Sequence, residues 1–551
     1  MVEEHTPVLI VGGGLVGLST ATFLAWHGVR PVVVERRPGT LLHPRARAIN
    51  PRSVELLRGV GLEATILANT SRVYDEHSQI IRAPSLAAPE TGRTPMTPPR
   101  SADGATDVSP CPWAPIDQDR LEVLLRAHAE GLGADIRFST TLTSFEPAGE
   151  GGVLAKIEDG HGARAIRADY VVAADGHRSM VRRHLQVGAH GPGVLGTSVN
   201  FVFTADLTGP MRGRNLGVGH FDEPRPGTVL LPHDGAGRWV LGIPFDPDSG
   251  ETLGDFTPER CARMARAAIG VPDAEVEIVP QLGDGTTVLT YEVEAKVTDR
   301  FREGPVFFAG DAAHVFPPTG AFGASTGIAD AHNLAGKLAA VIQGQASPAL
   351  LDSYDAERRP VARFTMEQAL FQTRDRTGRD VPLSPDATPA EYDSVVFGYT
   401  YRSSAVLCED GGTPDGSRSL SPLLPSELSG QPGSRAPHVR IERDGRTLSV
   451  LDLFGRGPVL LAGPEGGAWV TALDRAAAGL AGTITAHAVG GDSANALGEP
   501  DGRFAEAYGI GPAGAVLVRS DGFVAWRSPE PATRPEKVLT AVLRETLSLG
   551  G

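Results

Sequence analysis

The sequence predicts an α/β chain of several domains: a doubly wound, mostly parallel sheet, a sheet-rich insertion within it, and a separate α/β domain at the C-terminal end. Three observations predict this. Val8–Val11 is a short apolar run that leads directly into a glycine-rich turn and a helix-like segment, and two further apolar strands, ending at Ala174 and Ala309, run into turns of the same kind. Between those two strands, β-branched and aromatic runs alternate with turns. The 551 residues exceed what one core holds, so two to four domains are expected.

The first unit organises the rest. Gly12, Gly14 and Gly17 stand in G-x-G-x-x-G spacing behind the strand. Gly12 permits a tight turn, Gly14 lets the backbone approach a pyrophosphate, and Gly17 lets the helix pack on the strand. The helix start, which includes Leu15 and Val16, offers N–H groups to phosphates. Gly28 ends the helix, and the next strand, Val32–Glu35, closes in a carboxylate about 20 residues beyond the glycines, where a ribose hydroxyl is accepted. The whole unit therefore predicts a dinucleotide site. Arg45 and Arg47 lie in the loop that leaves this strand and must pass over the crevice, where guanidinium suits a pyrophosphate.

A helix is expected from near Pro51. From about Ser71 to Pro115 the chain is rich in Pro, Ser and Thr, either a long loop or a set of short strands. An amphipathic helix follows, with Leu121, Leu124, Leu125 and His128 on it and Gln118 at its entry. Tyr170–Ala174 is a strand ending in a sharp Asp175-Gly176 turn, followed by a helix carrying Arg182 and Arg183. Residues 190–290 read as a separate sheet with one helix, Pro258–Ile269. Val306–Ala309 is a buried strand ended by Gly310-Asp311. Pro317, Pro318 and three glycines then form an extended loop, and Ser325 to Ile342 a helix, giving a second anion-friendly helix start. Polar, Pro-rich stretches around 377–391 and 410–437 precede a compact α/β domain of about 110 residues.

Composition excludes other classes. Apolar residues make up 41% and charged residues 21%, which is a globular balance. The formal charge of −15 argues against nucleic acid or an anionic membrane as partner, since both require a basic face. Cys111, Cys261 and Cys408 are far apart without a C-x-x-C, so neither a disulfide scaffold nor a metal site is expected. The N-terminus shows no signal-peptide pattern, and no apolar stretch of about 18 residues occurs, which points to a cytoplasmic protein.

Taken together, Gly12-x-Gly14-x-x-Gly17 with Glu35, Asp175-Gly176 in AADGHRSMVR and Gly310-Asp311 in AGDAAHVFPPTG resemble the three fingerprints of class A FAD-dependent aromatic hydroxylases, the para-hydroxybenzoate hydroxylase type. Over nearly its whole length the chain is most similar to the aromatic polyketide hydroxylases that act on aklavinone and tetracenomycin. Tyr508–Arg527 is similar to the end of their thioredoxin-like C-terminal domain, here without a C-x-x-C, which implies a structural or dimerisation role. The implied organisation is an FAD-binding Rossmann-like domain at 1–185 and 286–400, a mixed β-sheet substrate domain at 186–285, and a thioredoxin-like domain at 401–551.

The resemblance also implies site residues. Gly12, Gly14, Leu15, Val16, Gly17, Glu35, Arg36 and Arg45 would hold the adenosine and pyrophosphate, and Gln118 would contact the flavin. Asp175 and Gly176 would serve both FAD and the nicotinamide donor. Gly310 and Asp311 would meet the ribityl chain and diphosphate, and Pro318, Gly320, Gly323, Ala324 and Ser325 would cover the isoalloxazine. Pro318 and Arg376 are the candidates for the catalytic region, Arg376 holding a phenolate or carbonyl. Phe201, Phe203, Trp239 and Phe245 are candidates for the far wall of the pocket, although aromatics alternating along a strand belong more often to a core. No metal is implied. Two departures from the family pattern stand out: Gly320-Ala321-Phe322-Gly323-Ala324-Ser325 replaces G-G-Q-G-M-N, and Gly336 replaces a Trp.

The implied reaction is hydroxylation of a phenolic polycycle through a flavin C4a-hydroperoxide, with FAD as cofactor, NADPH or NADH as transient co-substrate and dioxygen as oxidant. The substrate is the only partner expected, the protein itself being a homodimer or a monomer. A flavin halogenase lacks support because W-x-W-x-I-P is missing. A Baeyer–Villiger oxygenase uses the same scaffold, and a non-oxygenating flavin protein or a nicotinamide dehydrogenase is the reading from a different class.

Overall fold

The computed structural model describes residues 4–41, 45–96, 108–149, 151–378, 380–409, 420–478, 480, 484–491 and 496–549. The stretches expected to be loop-like at 71–115 and 410–437 thus fall partly outside the described residues, at 97–107 and 410–419.

The site-forming elements are, in chain order, β1 (Glu4–Val11), α1 (Leu15–Trp26), β2 (Val32–Val34), α2 (Pro51–Arg58), β3 (Gln79–Ala83), α3 (Gln118–Gly131), β4 (Gly162–Ala173), α4 (Met180–His184) and β5 (Ala189–Thr204). They continue with β6 (Leu216–Phe221), β7 (Thr228–Pro232), β8 (Arg238–Phe245), α5 (Pro258–Ile269), β9 (Val288–Thr298), β10 (Val306–Phe308), α6 (Phe322–Ile342), α7 (Asp352–Thr377) and α8 (Tyr392–Phe397). Helix α6 begins three residues before the expected Ser325. Ala321, at φ 54°, turns the chain there, so Gly323, Ala324 and Ser325 lie in the first turn of the helix rather than in the loop.

The central sheet runs β10–β4–β1–β2, and the strand Asp135–Arg137 extends it beyond β2. All four pairings are parallel. Such strands must be covered on both faces, which explains why Val8, Leu9, Ile10, Val33, Val172, Phe307 and Phe308 are apolar without alternation and buried. Helices α1 and α6 pack together over this sheet. Helix α2 starts at an Asn50 cap whose side chain accepts the Ser53 N–H, with Pro51 in the first turn, so the expected start near Pro51 holds.

The second sheet contains β9–β5–β8–β7–β6–β3 in that order. It draws on β3, which precedes residue 186, and on β9, which lies beyond 285, so the sheet is larger than the insertion alone. One face packs on the amphipathic helix α5. Phe201 and Phe203 are buried in that core with Ile81, Leu241, Met264 and Ile269, and Trp239 and Phe245 border it. The four aromatics expected at the pocket wall therefore face the opposite way. Strand alternation is correct, but the α5 face takes the apolar register because burying these rings there contributes about 1.5–3 kcal/mol per side chain.

The last domain holds a four-stranded mixed sheet, in the order Thr485–Ala488, Val459–Ala462, Ala515–Val518, Val524–Ser528. Helices Gly467–Ala476 and Pro535–Thr546 cover one face through Trp469, Leu473, Leu539 and Leu543. Ile441, Phe504, Tyr508, Val516 and Val518 form the core on the other.

Candidate active site

Three strand ends meet at one edge of the central sheet. Val11 is paired with Ala173, and Ala173 with Phe308. One residue further on, Ala174 N–H donates to Val11 O at 2.8 Å and Ala309 N–H to Ala173 O at 3.0 Å. The turns Gly12–Gly17, Asp175–Gly176 and Gly310–Asp311 thus leave the sheet side by side at its carboxyl edge, the place where open α/β sheets bind ligands.

Close approach dictates the glycines. Gly12 has φ 107°, and a Cβ on it would lie 2.3 Å from Ala174 O; a Cβ on Gly17 would lie 1.8 Å from Gly12 O. Val16 fills the space between the first and third turns: a Cβ on Gly310 or on Gly327 would lie 2.5 Å from its Cγ2. The first turn of α1 has no side-chain cap from Gly14, as a helix start that receives a phosphate requires. Glu35 lies against this turn. Its Oε2 accepts from Gly13 N at 2.8 Å and its Oε1 from Arg37 N at 2.9 Å, so the carboxylate is held at the rim where a ribose would lie. Arg36 beside it is exposed.

Gln118 is the first residue of α3, and it works with a residue that the sequence reading passed over, Glu122. Gln118 Oε1 accepts from Ala46 N at 3.3 Å, and its Nε2 donates to Glu122 Oε1 at 2.9 Å. Glu122, 2% exposed, also accepts from Leu15 N at 3.0 Å and Leu41 N at 2.8 Å. Burial raises its pKa, against the lowering effect of these bonds. One carboxylate thereby ties the start of α1 to the loop behind β2. Its position four residues after Gln118, on the helix face of Leu121 and Leu125, was the available signal.

The second turn is capped from within. Asp175 Oδ2 accepts from Met180 N at 2.7 Å and Val181 N at 3.2 Å, while its Oδ1 is buried with no partner. Arg182 links this turn to the third by donating to Ala312 O at 2.8 Å and His177 O at 2.9 Å. Arg45 is exposed, and it acts electrostatically on His177 across the crevice. Arg47 does different work. Its Nε lies 2.9 Å from Asp117 Oδ1, and it donates to His233 O at 2.7 Å, so it clamps the loop to the end of β7.

The third turn is positioned by a buried cluster. Asp330 on α6 accepts from Gly310 N at 3.2 Å, His314 Nε2 at 2.6 Å and Arg358 Nε at 2.8 Å. Burial works against this carboxylate, yet His314 and Arg358 hold its pKa below the usual value. Asp311 itself is exposed at the sheet edge. Beyond it Pro318 is exposed, and Thr319 Oγ1 lies 2.5 Å from Thr373 Oγ1 on α7. Ser325 turns its hydroxyl to Asn50 N at 3.2 Å. Phe322, one of the family departures, stacks on Tyr392 at 5.7 Å between centroids, so it packs against α8.

Helix α7, which holds this loop through Thr373, ends beside the face of the second sheet that is turned away from α5, where a Cβ on Gly378 would lie 2.8 Å from Arg82 Nη2. That face carries Arg82 and His220, paired in register on β3 and β6. Arg376, on the last turn of α7, reaches the same place: it influences both His220 and Tyr392. Burial lowers the Arg376 pKa, with Tyr392 and Asp375 opposing. Among the described residues no group of His, Cys, Asp and Glu is arranged to hold a metal, and no helix is long and apolar enough to cross a membrane.

These features fit FAD. The glycine turn at the start of α1 would take the pyrophosphate and Glu35 the ribose, Asp311 is an exposed carboxylate at the third strand end, and the Asp175 Oδ1 orphan lies at the second. Fold and site define a flavoprotein of the doubly wound type with a second, mixed sheet.

Comparison with known proteins narrows the class. Residues 5–369 match the FAD binding domain family, and residues 429–548 match the aromatic-ring hydroxylase C-terminal family. The chain is 42% identical over 559 residues to a putative polyketide hydroxylase of Streptomyces halstedii, covering 99% of this chain and 98% of that one. It is 42% identical over 553 residues to 4-methyl-5-nitrocatechol 5-monooxygenase of a Burkholderia species, with the same coverage. Aklavinone 12-hydroxylase of Streptomyces purpurascens is 41% identical over 99% of this chain and all of its own length. Among solved structures, the ternary complex of aklavinone-11 hydroxylase with FAD and aklavinone superimposes with a TM-score of 0.90 at 39% identity, covering both chains completely. The chain belongs to the FAD-binding aromatic-ring hydroxylases and is an FAD-dependent monooxygenase.

Proposed function

We propose that this monooxygenase hydroxylates a phenolic polycyclic aromatic of the polyketide type, with NADPH or NADH as transient electron donor and dioxygen as oxidant. The observation that carries this reading is the arrangement of the cleft. The end of α7, which carries Arg376, touches both the loop after Pro318 through Thr319 and the sheet face bearing Arg82 and His220, an arrangement that suits a flat guest with an ionisable oxygen. The kinship with polyketide hydroxylases at 41–42% identity supports the substrate class.

In this reading Gly12, Gly14, Leu15, Val16 and Gly17 take the pyrophosphate, Glu35 the ribose and Arg45 the phosphates. Gln118, Asp175, Gly176, Gly310 and Asp311 line the path to the ring system, and Pro318, Gly320, Gly323, Ala324 and Ser325 border it. Bound and reduced, FAD supplies the activation of dioxygen and the transfer of one oxygen atom. The chain supplies the rest. Arg376 holds the phenolic oxygen, whose electron release activates the ring carbon ortho or para to it, and the apolar wall of Phe322 and Tyr392 restricts water.

Turnover with isotopically labelled dioxygen tests this. Presented with hydroxylated anthraquinones, naphthacenequinones and a nitrocatechol, the FAD-loaded protein is expected to place one labelled oxygen in a ring hydroxyl of a polycycle. Label in a lactone would assign Baeyer–Villiger chemistry, hydroxylation of the nitrocatechol alone would move the substrate class to single rings, and unlabelled product would point to a dehydrogenase.

A further inference from the structure

We propose that His220 is a substrate-contacting residue that reads a ring hydroxyl: its imidazole hydrogen-bonds the phenolate oxygen of the guest, which Arg82 and Arg376 keep ionised. This rests on the cleft assignment above and goes beyond it by naming the group that selects hydroxylated over bare polycycles.

Direction comes first. On β6, Phe221 belongs to the core under α5, and on β3 so do Ile81 and Ala83. Alternation therefore sends His220 and Arg82 to the opposite face, where the register sets them side by side. The end of α7 closes over them: a Cβ on Gly378 would lie 2.8 Å from Arg82 Nη2. Arg376 lies two residues before that glycine, and Thr373, one turn earlier, touches Thr319 of the loop after Pro318. The imidazole, two arginines and the flavin-side loop are thus linked through one turn of helix.

Need comes second. His220 is 8% exposed, and its Nδ1 is buried with no hydrogen-bond partner. An unsatisfied buried nitrogen costs about 1–3 kcal/mol, a cost that a ligand oxygen would remove. Burial, Arg376 and Arg82 lower the His220 pKa to about 4, so the ring is neutral at physiological pH. A neutral imidazole carries one N–H and one acceptor nitrogen, and between two guanidinium groups the complementary guest is an anion that accepts the N–H. The charged groups acting on His220 are Arg82 from β3 and Arg376 from α7, with Tyr392 of α8 beside Arg376. The guest's hydroxyl proton passes to solvent on binding.

The test uses FAD-loaded protein with alizarin, a dihydroxyanthraquinone whose colour reports ionisation, and anthraquinone, which lacks hydroxyls. Wild type is expected to bind alizarin in its phenolate colour at a pH where the free dye is protonated. H220F is expected to bind alizarin about tenfold or more weakly, the part that binds keeping its phenolate colour because both arginines remain, and to bind anthraquinone as wild type does. H220N, which keeps a hydrogen-bonding group, should recover part of the affinity. Flavin content, read from visible absorbance, should match wild type in both variants. Unchanged alizarin binding by H220F, equal weakening for both quinones, or loss of flavin would overturn the proposal and assign His220 to packing, leaving the cleft reading intact. Failure of wild type to bind either quinone would overturn both.

Discussion

Asp330 shows how a single buried carboxylate sets the geometry of a turn at a strand end. It holds the Gly310 N–H, His314 and Arg358 together at the third strand end. D330N would leave the Arg358 charge buried without a carboxylate, and we expect a loss of about 3–5 kcal/mol in stability by chemical denaturation, with release of flavin. The pH dependence has a definite sign. Because the folded-state pKa of Asp330 lies below its unfolded value of about 3.9, the stabilisation is complete above that pH and fades as pH falls through the folded value. Denaturation midpoints measured from pH 7 downward should therefore fall below about pH 4 in wild type, and fall less steeply in D330N.

At the level of elements, the contact between α1 and α6 is made through a glycine and a valine. Gly327 on α6 has no room for a Cβ because Val16 occupies it. G327A should push α6 away from the first turn of α1, costing about 1–3 kcal/mol and weakening flavin binding, and adding V16A should restore most of both. Fluorescence titration of apoprotein with FAD measures this; a double variant no better than G327A would show that the helix spacing is set elsewhere.

The elements that the sequence made legible are those with local signals. Gly12, Gly14 and Gly17 announce a turn by spacing, the expected start near Pro51 matches α2, and Pro258–Ile269 gives α5 at its observed limits. Relations across the chain were not legible. The Asp330, His314 and Arg358 cluster joins residues 16 and 28 apart, with no periodicity to mark them. Alternation along β5 and β8 showed that Phe201, Phe203, Trp239 and Phe245 share a face, but not that α5 would cover it. That choice in turn hid His220, which stands on the opposite face of the sheet, next to Arg82. The start of α6 was misplaced by three residues because Ala321 adopts a left-handed conformation that a non-glycine residue seldom signals.

At the scale of the whole molecule, the C-terminal domain is wired into the flavin-binding domain by buried charges. Arg519 donates to both oxygens of Glu357, at 2.6 and 2.8 Å, and Lys337, Asn333 and Ser403 share the same carboxylate. Arg435 does likewise with Glu55, which also pairs with Arg52 of α2. Glu357 is the neighbour of Arg358, so the domain contact and the Asp330 cluster sit on one turn of α7. We expect R519M to destabilise the protein by about 3–5 kcal/mol and to weaken FAD retention although no atom of Arg519 reaches the sheet edge. Thermal unfolding and flavin release should then coincide; a variant that loses the C-terminal contact yet keeps wild-type flavin affinity would show the two domains to be independent.

The most direct test of the account is a crystal structure of the FAD-loaded protein with a hydroxylated anthraquinone. The ADP half is expected along Gly12–Gly17 and Glu35, the isoalloxazine beside Pro318–Ala321, and the quinone between that ring and the Arg82–His220 face. A flavin ring away from the Gly310–Asp311 turn, or a quinone seated on the α5 side of the second sheet, would contradict it.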